Sequence, residues 1–177
     1  MHPIDWLVES WADGGGMLFP ALWLIPRAIV DLIGPWREDL SLNNDAEYFT
    51  RAVLASKKVL FVEGARCYYR SGLAGSLSGS RSRSAWESQL RVLEACTDYL
   101  LNAEDSDRTR RSCSILWQRA AHGAFPYVPG LANLAMRKAR HLHADVVQAE
   151  GGKIFHFTRA LLGWRAARVL QRLSGRP

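Results

Sequence analysis

Two patterns of apolar residues divide the chain. Up to about residue 70 they come in short runs punctuated by proline and glycine, and beyond about residue 84 they recur every three to four positions. In the first part, Met17-Leu18-Phe19 and the stretch 22–25 read as short extended pieces around Pro20. Pro26 suits the first turn of a helix over 27–33, which Gly34-Pro35 stops. Asn43 or Asn44 caps a second helix running to about Ser56, with Ala46, Phe49, Val53 and Leu54 at helical spacing. The run Val59-Leu60-Phe61-Val62 reads as a buried strand, and residues 65–69 as another.

Residues 71–84, rich in Ser, Gly and Arg, carry no period and read as a mobile loop or linker. Thereafter Trp86, Leu90, Leu93, Thr97 and Leu100 mark one face of a helix. Helices at about 108–121 and 131–143 follow, separated by Pro126 and Pro129. A last helix, about 158–173, places Leu162, Val169, Leu170 and Leu173 on one side and Arg165, Arg168 and Arg172 on the other. The expected fold class is an α/β block over residues 1–70, a loop over 71–84 and an all-α region over 85–177.

Composition fits a globular domain with a real core: of 177 residues, 48% are hydrophobic and 23% charged. Apolar stretches fall well short of the roughly 20 residues that cross a bilayer, and Asp5 and Glu9 interrupt any leader-like run, so a cytoplasmic location is expected. Three cysteines, Cys67, Cys96 and Cys113, lie far apart without CxxC spacing and read as buried free thiols, not as a zinc site or a disulfide framework. Charge is lopsided: residues 1–63 carry 5 Lys+Arg against 9 Asp+Glu, a net of −4, and the remainder 18 against 8, a net of +10. A basic C-terminal half predicts an anionic partner, whether pyrophosphate, nucleic acid or a lipid surface.

Four segments follow one another in a recognisable order. They are Gly14-Gly15-Gly16-Met17-Leu18-Phe19, Gly34-Pro35-Trp36-Arg37-Glu38, Asn44-Asp45-Ala46-Glu47-Tyr48-Phe49-Thr50-Arg51, and the 59–62 run leading into Tyr68-Tyr69-Arg70. In these the chain resembles the C-terminal, acceptor-side part of inverting family-two glycosyltransferases of the GT-A fold, over roughly its first 80 residues. The resemblance implies transfer of a sugar from a nucleotide-diphosphate sugar to an acceptor hydroxyl on a glycan, lipid or protein. It casts Asp45, at a helix N-terminus, as the general base. Glu47 and Trp36 become acceptor contacts, and Gly15, Gly16 and Arg70 face the donor sugar and diphosphate. Read without it, Asp45 is a first-turn acid, Trp36 a core aromatic and the glycines an ordinary turn.

The chain also departs from that family. A DxD motif is missing, since Asp105-Ser106-Asp107 lies outside the matching block. The resemblance therefore implies that the nucleotide-binding half is absent from this chain, which alone is expected to be inactive and to bind no cofactor; Mg or Mn would belong to a full-length enzyme. The alternative is a non-catalytic basic helical interaction module for a protein partner or nucleic acid. The nucleic-acid version, drawn from Arg81, Arg83, Arg108, Arg110 and Arg111, is not expected, because no reading motif accompanies the charge. Peripheral contact with an anionic membrane, at its inner face, through the last helix is the remaining expectation.

Overall fold

A computed structural model describes residues 1–12, 19–68 and 79–173. Among these residues the secondary structure is helical throughout: α1 (Pro3–Ala12), a 3-10 turn (Pro20–Leu22), α2 (Arg27–Ile33), α3 (Asn44–Ala55), α4 (Arg83–Ala103), α5 (Asp107–Ala124), α6 (Pro129–Leu142) and α7 (Lys153–Leu173). The ends of several helices follow from local chemistry. Gly34, at φ +73, closes α2, since a left-handed residue cannot continue the helix and glycine adopts it without strain. Asn43 enters α3 at φ +61, a conformation asparagine tolerates better than other side chains. The Ser82 hydroxyl accepts the Ala85 N–H at 3.1 Å and caps α4. At the head of α5 the Ser106 N–H donates to Thr109 Oγ1 at 3.0 Å. Pro129 starts α6, where its missing N–H costs nothing.

Helices α4 and α5 hold the middle of the molecule. One core joins Leu7 and Trp11 of α1 to Leu40, Val53 of α3, Val92, Cys96 and Leu100 of α4, and Cys113 of α5. A second joins Leu90 and Leu93 to Trp117, Ala120 and Ala121 and to Ala135 and Ala139 of α6. The alanines let α5 and α6 approach closely, and the Trp117 indole N–H is satisfied by Thr97 Oγ1 at 3.0 Å. Tyr48 and Phe49 anchor a third, aromatic cluster with Trp6, Trp23 and Trp36. Helix α7 packs through a small separate cluster, Ala149, Phe155, Ala167 and Trp164.

This architecture corrects the expected α/β block. No strand occurs among the described residues, so the GT-A-like block implied by the resemblance is not present. Residues 59–62 have no regular secondary structure, and among the described residues Val59 exchanges backbone hydrogen bonds of 3.0 Å with Met1. Leu60, Phe61 and Val62 are exposed, Phe61 to 92%. A continuous apolar run becomes a buried strand only when neighbouring strands and covering layers exist, and here the cores are built from helix faces instead. The stretch 22–25 begins in the 3-10 turn and then runs irregularly, and 65–68 is likewise irregular and exposed. Cys96 and Cys113 are buried as expected, whereas Cys67 is exposed. The expected loop falls largely on 71–78, outside the described residues, as does most of the Met17-Leu18-Phe19 piece.

Candidate functional site

The sequence points first to the N-terminal turn of α3. Asp45 there is half-buried, and its Oδ1 accepts the N–H of Ala46 at 2.9 Å. One turn further, Glu47 is completely buried, at 0% exposure. Arg51, four residues on, donates Nε to Glu47 Oε1 at 2.8 Å and Nη2 to Oε2 at 3.0 Å, a two-pronged pair. The Tyr99 hydroxyl of α4 donates to the same Oε1 at 2.8 Å. Arg51 also bonds the carbonyls of Ile33 and, at 3.0 Å, Pro35 at the end of α2. A single carboxylate thus links α2, α3 and α4.

Trp36 lies flat on Tyr48, with ring centroids 4.3 Å apart and planes 2° from parallel, and meets the edge of Phe49. One of its faces is covered by Tyr48, and the residue is half-buried. An open cleft of about 410 Å³ nearby is lined by Ile33, Arg51, Leu54, Tyr99, Asn102 and Ala103. Neither Asp45 nor Glu47 lines it. The structure brings Asp45, Glu47 and Trp36 close to one another, yet uses Glu47 and Trp36 as internal braces. Gly15, Gly16 and Arg70 lie outside the described residues. No group of three or more His, Cys, Asp or Glu side chains positioned to hold a metal occurs among the described residues.

A second feature is α7, which Gly163, at φ +79 and ψ 164, divides into two pieces. Only glycine reaches that combination freely. The spacing correctly separates a leucine face from an arginine face, but their placement is the reverse of an ordinary packed helix. Arg168 donates to the carbonyl of Glu150 at 2.7 Å, and its guanidinium lies 4.6 Å from the Phe155 ring centre. Arg165 bonds Asn133 of α6 at 2.9 Å and lies over Phe125 and Trp164. Arg172 bonds the Pro126 carbonyl and lies over Tyr127. With the arginines turned to the body, the apolar residues face out: Ile154, Phe157, Leu161, Leu162, Val169, Leu170 and Leu173 are all exposed, Phe157 to 68% and Leu173 to 76%.

The seam between α5 and α7 contains a buried histidine. The edge of Trp164 meets the His122 ring with centroids 4.7 Å apart. Burial first, then the neighbouring Arg168 of α7 and Arg119 of α5, push the His122 pKa down to about 4. His122 therefore sits neutral at physiological pH.

Sequence reasoning names Glu47, as an acceptor contact, but misses its pairing with Arg51, its partner Tyr99, 52 positions away, and His122; the one available signal for His122 is a histidine among the alanines on the buried face of α5. It also leaves out α1, although Ile4, Leu7, Val8 and Trp11 recur at helical spacing. Comparison with protein-family models, curated proteins and solved structures found no match.

Proposed function

We propose that the chain is a non-catalytic helical interaction module that binds its partner through the outward face of α7. The observation that carries this reading is the reversed amphipathicity of that helix. Large apolar side chains are exposed on both pieces of α7, and clustered exposed apolar surface marks binding sites. Two further features agree with binding. Glu47 is engaged in ion pairing and Trp36 in packing, and neither lines the cleft. The basic stretch of α5 is not a bare positive stripe, because Arg108, Arg110 and Arg111 pair with Glu104 and Asp5, Asp105 and Asp145 respectively.

A photo-crosslinking amino acid placed in turn at Leu162, Leu170 and, as an exposed control, Lys57 tests the reading in living cells. Irradiation is expected to give protein or lipid adducts at Leu162 and Leu170 and not at Lys57. Adduct formation on α7 no greater than at Lys57 refutes the proposed binding face.

A further inference from the structure

The geometry points to an anionic phospholipid bilayer as the partner of α7, an inference that rests on the binding face proposed above. Three observations select it. The exposed apolar side chains extend over both pieces of α7, with Ile154, Phe157 and Leu161 on one and Val169, Leu170 and Leu173 on the other. The interfacial layer of a membrane accepts an apolar helix face laid parallel to it. The surroundings are strongly positive. Residues 129–173 carry 8 Lys+Arg against 2 Asp+Glu, a net of +6. A second copy of this chain meeting the stripe would bring two such surfaces together, so charge selects against self-association and for an anionic sheet.

No helix among the described residues is long and apolar enough to cross a membrane, so the contact lies in the surface plane. The bridge between the two halves of the helix matters here. Gly163 lets each piece adjust its tilt, so both stripes can reach one plane. Lys153, Arg165 and Arg172 keep exposed surface although the two arginines also bond the body, and this remaining surface is assigned to lipid phosphate. This assigns the exposed arginines of α7 a double contact, with the carbonyls and rings of the body on one side and lipid phosphate on the other.

Flotation of the full chain with vesicles tests the inference. Vesicles of phosphatidylglycerol and phosphatidylcholine in equal parts are expected to carry the protein, and vesicles of phosphatidylcholine alone are not. Raising the salt concentration should weaken the anionic binding. Arg172→Gln should weaken it about fivefold, the effect of removing one cation near such a surface. Leu162→Asp/Leu170→Asp should abolish it; both positions are exposed, so the variant is expected to keep the parent's circular dichroism and thermal midpoint. Equal recovery with both vesicle types, or undiminished binding by the double aspartate variant, overturns the lipid assignment. Absence of flotation combined with protein adducts at Leu162 and Leu170 in cells overturns it while leaving the binding face intact; absence of both removes the binding face as well.

Discussion

Replacing Arg51 with alanine lowers the free energy of unfolding by about 3–5 kcal/mol, the cost of breaking a buried ion pair from one side. The loss falls on Glu47, whose carboxylate is wholly shielded from water and keeps only the Tyr99 hydroxyl once the guanidinium is gone. Two carbonyls at the end of α2, those of Ile33 and Pro35, lose their donor in the same step. In a chain of 177 residues this corresponds to a fall in Tm of roughly 6–20 °C. Glu47→Gln should be milder, about 1–3 kcal/mol, because the amide still accepts from Tyr99 and Arg51 retains both carbonyls and partial access to water, its side chain being 17% exposed. The order of the two variants therefore follows from which charge is left dry. Arg51→Met/Glu47→Leu, which removes both charges and fills the volume, should approach the parent's stability. Urea unfolding with unchanged m-values measures all three. An Arg51→Ala loss below about 1 kcal/mol, the range of an exposed surface pair, would show that the network is not shielded as described.

Acidification should loosen the seam between α5 and α7 through His122. In the folded chain its pKa is about 4, against 6.5 for a histidine in water, so folding disfavours the proton. The sign follows: the contribution of this neutral histidine is fully present above pH 6.5 and is lost as the pH falls toward the folded value. At pH 5 the loss amounts to about 2 kcal/mol, and near pH 4 to about 3 kcal/mol. The charges facing the imidazole are Arg168 from α7 and Arg119 from its own helix, so protonation adds a third positive charge to the seam. His122→Phe keeps an aromatic ring against Trp164 and removes the titration. Thermal midpoints measured from pH 7 to pH 4 should therefore fall more steeply for the parent than for His122→Phe. Parallel curves would mean that His122 is not buried in this seam.

Much of the local structure is legible in the residues, and the tertiary arrangement less so. The limits of α2 and α3 follow from Pro26, Gly34, Asn43 and Ser56, residues whose backbone preferences act without help from distant parts of the chain. The run at 59–62 is read as strand because its side chains favour that conformation, yet it has no regular secondary structure. A sheet, however, depends on partner strands, and among the described residues the backbone pairing of this run is with Met1 alone. The expectation of an α/β block failed at that step. In α7 the spacing reveals two faces but not which one turns inward. An arginine face normally faces water; here the guanidinium groups lie over the rings of Phe125, Tyr127, Phe155 and Trp164, and two backbone carbonyls, of Glu150 and Pro126, accept their hydrogens. Phe125, Tyr127 and the two carbonyls come from outside α7, while Phe155 and Trp164 belong to it, and the leucine–arginine spacing alone does not say which face they cover.

The candidate site divides along the same line. Glu47 and Arg51 are four residues apart on one helix, so their pairing is a local fact. That Glu47 is buried, and therefore structural, depends on Tyr99 and on α2 closing over it, which the sequence pattern of α3 alone does not contain.

The outward face of α7 can be measured directly by thiol accessibility. Cys96 and Cys113 are buried, and burial pushes both thiols up to about 12, so they stay unreactive at neutral pH. With the exposed Cys67 replaced by serine, single cysteines at Leu162, Leu170 and the buried Ala167 report on opposite sides of the helix. Maleimide should label Leu162→Cys and Leu170→Cys about as fast as Cys67 in the parent chain, and Ala167→Cys far more slowly. Faster labelling at Ala167 than at the two leucine positions would place the arginine face outward and contradict both the reversed packing of α7 and the binding face built on it.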